Sequence, residues 1–287
     1  MTAADVFGLH RAHLIGVAYR LTGSIADAED AVQEAWPRFA KAEHVQDARA
    51  WLTTVVSRIC LDRLRSAAVR RETYVGSWLP EPLLTTGEDE DPLASVVRSD
   101  GVRMAALVVL DRLTPDQRVA FVLHDAFSLP FNEIAGVLQV SEASARQHAS
   151  RARKAVADAE PPPRAALAEQ QEVLEKFLRA MSSGDIDAVL ELLHPNAVMI
   201  GDGGGKVRTA VNTVSGADKV ARFFLGLLRK YGYPEAHRPV LVNGDLGVLM
   251  PAYGEVTARV TAFTVHDGKV AAIYDIANPD KLAHVEF

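Results

Sequence analysis

Residues 131–157 read FNEIAGVLQVSEASARQHASRARKAVA. Apolar Ile134, Val137 and Leu138 recur at helical spacing, the run meets Gln139-Val140-Ser141, and a second helical stretch follows. That second stretch carries Arg146, Gln147, His148, Ser150, Arg151, Arg153 and Lys154 at its outward positions. Two short helices joined by a tight turn, the second rich in arginine and amide side chains, describe a helix-turn-helix. A helical hairpin in a larger bundle, its charges merely wetting one face, satisfies the same pattern. The rest of the chain has to separate the two.

At 287 residues the chain is long for one domain, and 48% hydrophobic residues allow each part its own core. The net charge of −6 does not by itself suggest a nucleic-acid partner, but the charges are segregated. Ser57–Arg71 holds Arg58, Arg63, Arg65, Arg70 and Arg71 against Asp62, whereas Glu81–Asp100 is acidic apart from Arg98. Cys60 is the single cysteine, which excludes an intrachain disulfide and a cysteine-based metal site. Neither a metal nor a cofactor is expected. No basic-then-apolar leader opens the sequence and no apolar run reaches membrane-spanning length, so a cytoplasmic protein without membrane contact is expected.

Taken in order, residues 4–71 read as helices. Gly23 stops the first, Ser24 caps the second (Ile25–Lys41), and Asp27, Glu29 and Asp30 suit its positive end. Asp30, Gln33, Glu34 and Pro37 share one polar face, and Pro37 is expected to kink this helix or to begin a fresh turn. A third helix from Asp47 turns Trp51, Leu52, Val55, Val56, Ile59 and Leu64 inward and its arginines outward. Residues 72–100 read as a linker, with Trp78-Leu79-Pro80 extended by proline and an acidic run over Gly87–Pro92. An apolar pair in a linker needs a surface to dock on.

Leu93–Leu113 resumes a helix, and Thr114-Pro115-Asp116 opens another with threonine as cap and proline in the first turn. The second small helical domain closes at Glu160-Pro161-Pro162-Pro163. Beyond it come helices over Ala165–Met181, Asp185–Leu193 and through Tyr231, with strands expected at Ala197–Ile200, Thr209–Val214, 237–243, 246–251, 255–265 and 269–276. Helices followed by an antiparallel meander imply an α+β domain.

The stretches LTGSIADAEDAVQEAW, ARAWLTTVVSRICLDRLRS and LDRLTPDQRVAFVLHDAFSLPFNEIAGVLQVSEASARQHASRARKAV resemble regions 2 and 4 of the extracytoplasmic-function sigma factors of bacterial RNA polymerase. Residues 165–287 resemble a SnoaL-like domain of the cone-shaped NTF2-like fold. Trp78-Leu79-Pro80, Asp202-Gly203-Gly204-Gly205-Lys206 and Asn278-Pro279-Asp280-Lys281-Leu282 resemble the signature of the sigma subgroup with that extension. The organisation implied is a region 2 helical bundle (1–71), a linker (72–100), a region 4 helix-turn-helix domain (101–158) and a C-terminal α+β cone (165–287).

By that resemblance, Asp30, Gln33 and Glu34 meet the β′ clamp helices of core polymerase, with the β flap as a further contact, and acidic and amide side chains suit a basic partner. Arg49, Arg58, Arg63 and Arg65 lie on the −10 element of promoter DNA, where capture of a flipped base couples recognition to melting. Arg58 stands where relatives often have asparagine. Arg63 and Arg65 suit phosphates, which set affinity rather than sequence. Ser144, Arg146, Gln147, Ser150 and Arg151 face the −35 element, where arginine and glutamine read base edges.

Residues 165–287 admit several readings. His194, Asp202, Tyr274 and Asp275 are the acid–base candidates of an enzyme, but no paired motif joins them. The GDGGGK run lacks the spacing and the following helix of a nucleotide-binding loop. The favoured reading is a regulator acting within its own chain in place of a separate anti-sigma factor, with Trp78, Leu79 and Pro80 docking near Asp202–Lys206 and Asn278–Leu282. A small molecule held in the cone is left open as a further partner. The competing classes are a one-component helix-turn-helix regulator with an NTF2-like sensor, and a SnoaL-like enzyme fused to DNA-binding helices.

Overall fold

Capping residues set the first helices. In a computed structural model that describes residues 2–71, 74–85, 102–159, 162–234 and 236–287, Thr2 and Asp5 form a capping box at the start of α1 (Ala3–Thr22). Gly23 ends it in the left-handed region at φ 70°, and the Ser24 hydroxyl caps α2 (Ile25–Ala40). The acidic run over Gly87–Pro92, residues 93–101 of the helix expected from Leu93, and Glu160-Pro161 lie outside the described residues.

Two compact units share the chain. Among the described residues, the first takes 2–71, 102 and 106–159, and the second takes 74–85, 103–105, 162–234 and 236–287.

In the first unit, α1 and α2 pack with α3 (Ala48–Arg71) around Leu14, Val17, Leu21, Val32, Leu52 and Val56. As expected from the reading of one helix over Ile25–Lys41, α2 runs through Pro37 to Ala40. The loss of a backbone donor there, roughly 3 kcal/mol in a helix interior, is offset by aromatic packing on either side. Trp36 and Phe39 meet the Phe7 ring at 5.1 and 6.3 Å, and Phe39 meets Trp51 at 5.7 Å.

Next come α4 (Met104–Leu110) and α5 (Pro115–Phe121), the latter with a Thr114–Gln117 capping box and a π turn over Val122–Ala126. The buried Arg118 guanidinium ties α5 back to α1, donating to the Arg20 carbonyl from Nε and Nη2 and to Asp111 from Nη1. The helix-turn-helix is α6 (Phe131–Leu138) and α7 (Glu142–Asp158). Gln139, at φ 59°, supplies the left-handed residue of the turn, and the Ser141 hydroxyl caps α7. Ala145, Ala149 and Ala152 are the buried stripe of α7; such small residues let it sit close to its neighbours.

The second unit is one mixed sheet with helices. Its helices are α8 (Leu167–Ser183), α9 (Ile186–Leu192) and α10 (Ala217–Tyr231). Its strands are β1 (Leu84–Thr85), β2 (Leu193–Asp202), β3 (Val214–Ser215), β4 (Arg238–Val242), β5 (Asp245–Met250), β6 (Arg259–His266) and β7 (Lys269–Ile276), in the order β1-β4-β5-β6-β7-β2-β3.

The antiparallel meander expected over 237–276 is present as β4–β7, and the rest of the sheet differs from expectation in three places. β2 runs parallel to β7, with Met199 opposite Ile273 and Asp202 opposite Ile276. The two are separated in sequence by α10 and four strands, so no local pattern records their pairing. Thr209–Thr213 is loop rather than strand, because the Thr209 hydroxyl turns to Asp275 and only Val214–Ser215 pairs with β2. Finally, Leu84–Thr85, inside the expected linker, is an edge strand on β4.

His13 in the first unit is half-buried between Thr53 Oγ1 at 2.9 Å and Arg49 Nη2 at 3.3 Å. Burial, aided by Arg49, His10 and Arg20, holds its pKa down at about 4, against an ordinary 6.5. An unfolded chain therefore takes up a proton between pH 6.5 and 4 that the folded chain refuses, so stability from this group falls as pH drops through that window. Thermal unfolding midpoints measured between pH 7 and 4.5 should fall less steeply in His13→Gln than in the unaltered chain.

Candidate functional site

A single buried carboxylate gathers the second unit's distinctive segments. Asp202, at the end of β2, is 0% exposed and uses both oxygens. Oδ1 accepts from the Tyr74 hydroxyl at 2.5 Å and the Gly204 amide at 3.0 Å. Oδ2 accepts from the Leu79 amide at 2.8 Å and Lys281 Nζ at 2.6 Å. Lys281 also donates to the Leu79 carbonyl and lies 4.0 Å from the centroid of the Trp78 ring, a cation–π contact. Leu79 is fully buried, Pro80 is buried and Trp78 half-buried. The Tyr74 phenol is held well above its usual pKa by burial and by the Asp202 carboxylate, so it stays a donor.

The glycines and the C-terminal turn complete this clasp. The Asp202 carbonyl accepts from the Ala277 and Asn278 amides, and Asn278 Nδ2 donates to the Tyr74 oxygen at 3.0 Å. A short 3-10 turn, Pro279–Lys281, is capped by the Asn278 side chain and aims Lys281 inward. A Cβ on Gly204 would strike the Asn278 amide, and one on Gly205 would stand 3.0 Å from Val75 Cβ. Both glycines have positive φ, so close approach and backbone conformation each call for glycine. Gly203 is buried, Lys206 reaches Asp280 at 2.6 Å on the surface, and Leu282 is buried behind the turn. Of the residues proposed from sequence as a docking constellation, Trp78, Leu79, Asp202, Gly204, Lys206, Asn278, Asp280 and Lys281 are thus linked by direct contacts.

Sequence reasoning missed a second node. Asn243-Gly244-Asp245, between the strands expected at 237–243 and 246–251, has the residues of a plain hairpin turn, yet Asn243 and Asp245 are buried. Asn243 exchanges hydrogen bonds with the Leu83 backbone, extending the β1–β4 pairing. Asp245 accepts from Arg103 Nε at 3.0 Å, Arg164 Nε at 2.8 Å and Gln170 Nε2 at 3.2 Å. His284 Nε2 lies 3.0 Å from the Pro82 carbonyl oxygen. The segments after α3, before α4 and before α8 thus all reach the same sheet. Nothing local to an Asn-Gly-Asp turn signals such partners.

In the first unit, the arginines expected at the −10 element all have partners within the unit. Arg63 of α3 pairs with Asp27 at 3.0 Å, Asp30 at 3.5 Å and Glu34 at 3.7 Å; Gln33 is exposed beside them. Arg58 donates to the Gly136 carbonyl of α6 at 2.9 Å, and Arg65 pairs with Asp116 of α5 at 2.9 Å. Arg49 meets His13. On α7, Arg146, Gln147, Ser150 and Arg151 are exposed, and Ser144 is half-buried against Ser141. Arg146 pairs with Glu142 and stacks over Phe131.

Family models for sigma-70 region 2 match residues 6–70, for sigma-70 region 4 residues 103–156, and for a SnoaL-like domain residues 174–283. The chain is 54% identical to the ECF RNA polymerase sigma factor SigJ of Mycobacterium tuberculosis, over 94% of this chain and 90% of that one. The chain is an extracytoplasmic-function sigma factor. It is also 35% identical to the probable ECF sigma factor SigI of the same species, over 95% of this chain and 92% of that one. The crystal structure of M. tuberculosis SigJ superposes with a TM-score of 0.84, covering 98% of both chains at 52% identity.

As a sigma factor the protein binds core RNA polymerase and promoter DNA, and it is not an enzyme. Of the acid–base candidates, only Asp275 lines the C-terminal cavity, and Arg259 pairs with it at 3.0 Å. Asp202 is held in the clasp. Among the described residues no group of histidine, cysteine and carboxylate side chains is placed to hold a metal, and no helix is long and apolar enough to cross a membrane. Cys60 is fully buried, and burial pushes its thiol up to about 12.

Removing one partner of a buried, hydrogen-bonded ion pair strands the other, at about 3–5 kcal/mol. Asp202→Ala should therefore lower the unfolding free energy of the sigma factor by about that amount. It should also raise acrylamide quenching of Trp78 fluorescence, read in a chain whose other two tryptophans are replaced by phenylalanine.

Proposed function

We propose that the C-terminal domain controls this sigma factor in cis, by clasping the segment that joins the two promoter-reading regions. The observation that carries it is the Asp202 carboxylate, whose donors come from Tyr74, Leu79 and Lys281. Region 2 ends with α3 and region 4 begins near Arg103, so a held Tyr74–Thr85 segment limits how far the two regions can separate. No dedicated anti-sigma factor is then needed, and the site of action is the cytoplasm, with polymerase.

The contacts within the first unit support a closed free state. Arg58 and Arg65, proposed for the −10 element, are bonded to the region 4 helices, and Arg63 neutralises Asp30 and Glu34, proposed for the β′ clamp helices. Engaging polymerase and DNA exchanges these internal pairs for intermolecular ones. The outward Arg146, Gln147, Ser150 and Arg151 on α7 suit the major groove of the −35 element as they stand, with Ser144 beside them.

Apparent affinity falls with the fraction of molecules in the competent state. Asp202→Ala and Lys281→Met should therefore strengthen binding to core polymerase roughly 10-fold or more and change transcription from a cognate promoter. Affinity and transcription unchanged in both variants would sink the cis-control reading. At the DNA, Gln147→Ala should cost about 1–3 kcal/mol at one −35 position, whereas Arg151→Ala should weaken all promoters and reduce the salt slope, if it meets phosphate, by about 1.

A further inference from the structure

The C-terminal domain holds a half-open cavity of about 650 Å³ that shares only Lys206 with the clasp. Its walls are apolar, with Phe177, Met181, Phe223, Leu227, Met250 and Phe263 among them. Its polar lining includes Lys206, Arg208, His237 and Glu255, of both signs, together with one hydrogen-bonded cluster around Asp275. Asp275 accepts from Arg259 Nη1 and the Thr209 hydroxyl, each at 3.0 Å, and lies 3.5 Å from the Thr261 hydroxyl. Arg259 Nε donates to the Thr257 carbonyl, which leaves Nη2 without a protein partner among the described residues.

That chemistry selects a ligand. The volume is that of a small-molecule site rather than a packing defect, roughly 300–1,000 Å³ being usual for such pockets. Asp275 already neutralises Arg259, so an anionic guest would add an unbalanced charge to a largely apolar space. A neutral acceptor oxygen satisfies Nη2 and leaves the charge balance alone. We propose that the cavity binds an uncharged, largely apolar small molecule whose carbonyl oxygen accepts from Arg259.

One loop links this site to the clasp. Lys206–Ala210 line the cavity, Thr209 donates to its polar cluster, and the same loop begins with the glycines packed on Asn278 and Val75. Occupancy is therefore felt at Asp202. This coupling, unlike the binding site itself, rests on the clasp reading.

The test uses the full chain and three naphthalene probes: Prodan, a neutral ketone; phenylnaphthylamine, neutral without a carbonyl; and anilinonaphthalene sulfonate, an anion. Prodan should bind once per chain, roughly tenfold tighter than either of the others, a difference suited to one hydrogen bond from a charged donor. Arg259→Met/Asp275→Asn, which removes both charges together, should lose that advantage and leave phenylnaphthylamine affinity unchanged. Leu227→Trp, which fills the cavity from α10, should weaken both neutral probes at an unchanged unfolding midpoint. Prodan bound no tighter than the sulfonate, or bound equally well by the double variant, would overturn the site.

Binding reciprocity supplies the second readout. Asp202→Ala should shift Prodan affinity severalfold; an unshifted affinity would overturn the coupling while leaving the site standing. Because polymerase binding by Asp202→Ala is measured separately, failure of the clasp to regulate is distinguishable from failure of the cavity to bind.

Discussion

The buried Asp202 carboxylate sets the terms for the C-terminal half. A charge with no exposed surface is tolerable only if its lone pairs are filled and a counter-charge sits beside it. Here the donors come from segments far apart in sequence: Tyr74 and Leu79, Gly204, and Lys281. The pairing is also directional. Lys281 must reach Asp202, the Leu79 carbonyl and the Trp78 ring together, and a short capped turn places it there. The net stabilisation of such a pair over an apolar replacement is modest, but the cost of losing one member is large. That asymmetry suits a latch, which is specific when closed and unfavourable when half-made.

The Asp245 node works on similar terms. Arg103 and Arg164 lie on either side of the helix-turn-helix in sequence, and both donate to one carboxylate. Together with β1 on the sheet edge, the domain holds chain from three points along its length through backbone pairing and buried charge. Backbone pairing of this sort contributes affinity with little sequence signature, while the WLP side chains supply specificity.

In the first unit, charged side chains of α3 find partners within the unit itself. Arg58, Arg63 and Arg65 meet a carbonyl or carboxylates inside the unit, so their charges are compensated there. The α7 face is different. Its polar residues point outward because the opposite stripe is alanine packed into the unit, and this exposure does not depend on any partner.

Much of this was legible in the chain alone. The helix-turn-helix, its turn at Gln139–Ser141, the capped helices and the mixed α and β character of the C-terminal half follow from periodicity, capping and turn residues, all local effects. The family resemblance added which glycines and which C-terminal tail belong with Trp78-Leu79-Pro80. Tertiary structure alone decided the parallel β2–β7 pairing, the edge strand at Leu84–Thr85, and the partners of Tyr74, Asn243 and Asp245. Each of these depends on contacts between residues distant in sequence, whose favourable energy exists only once the chain is folded. The stretch at 131–157 could announce a DNA reader; that Arg58 of α3 is held by the Gly136 carbonyl of α6 is written in no single segment.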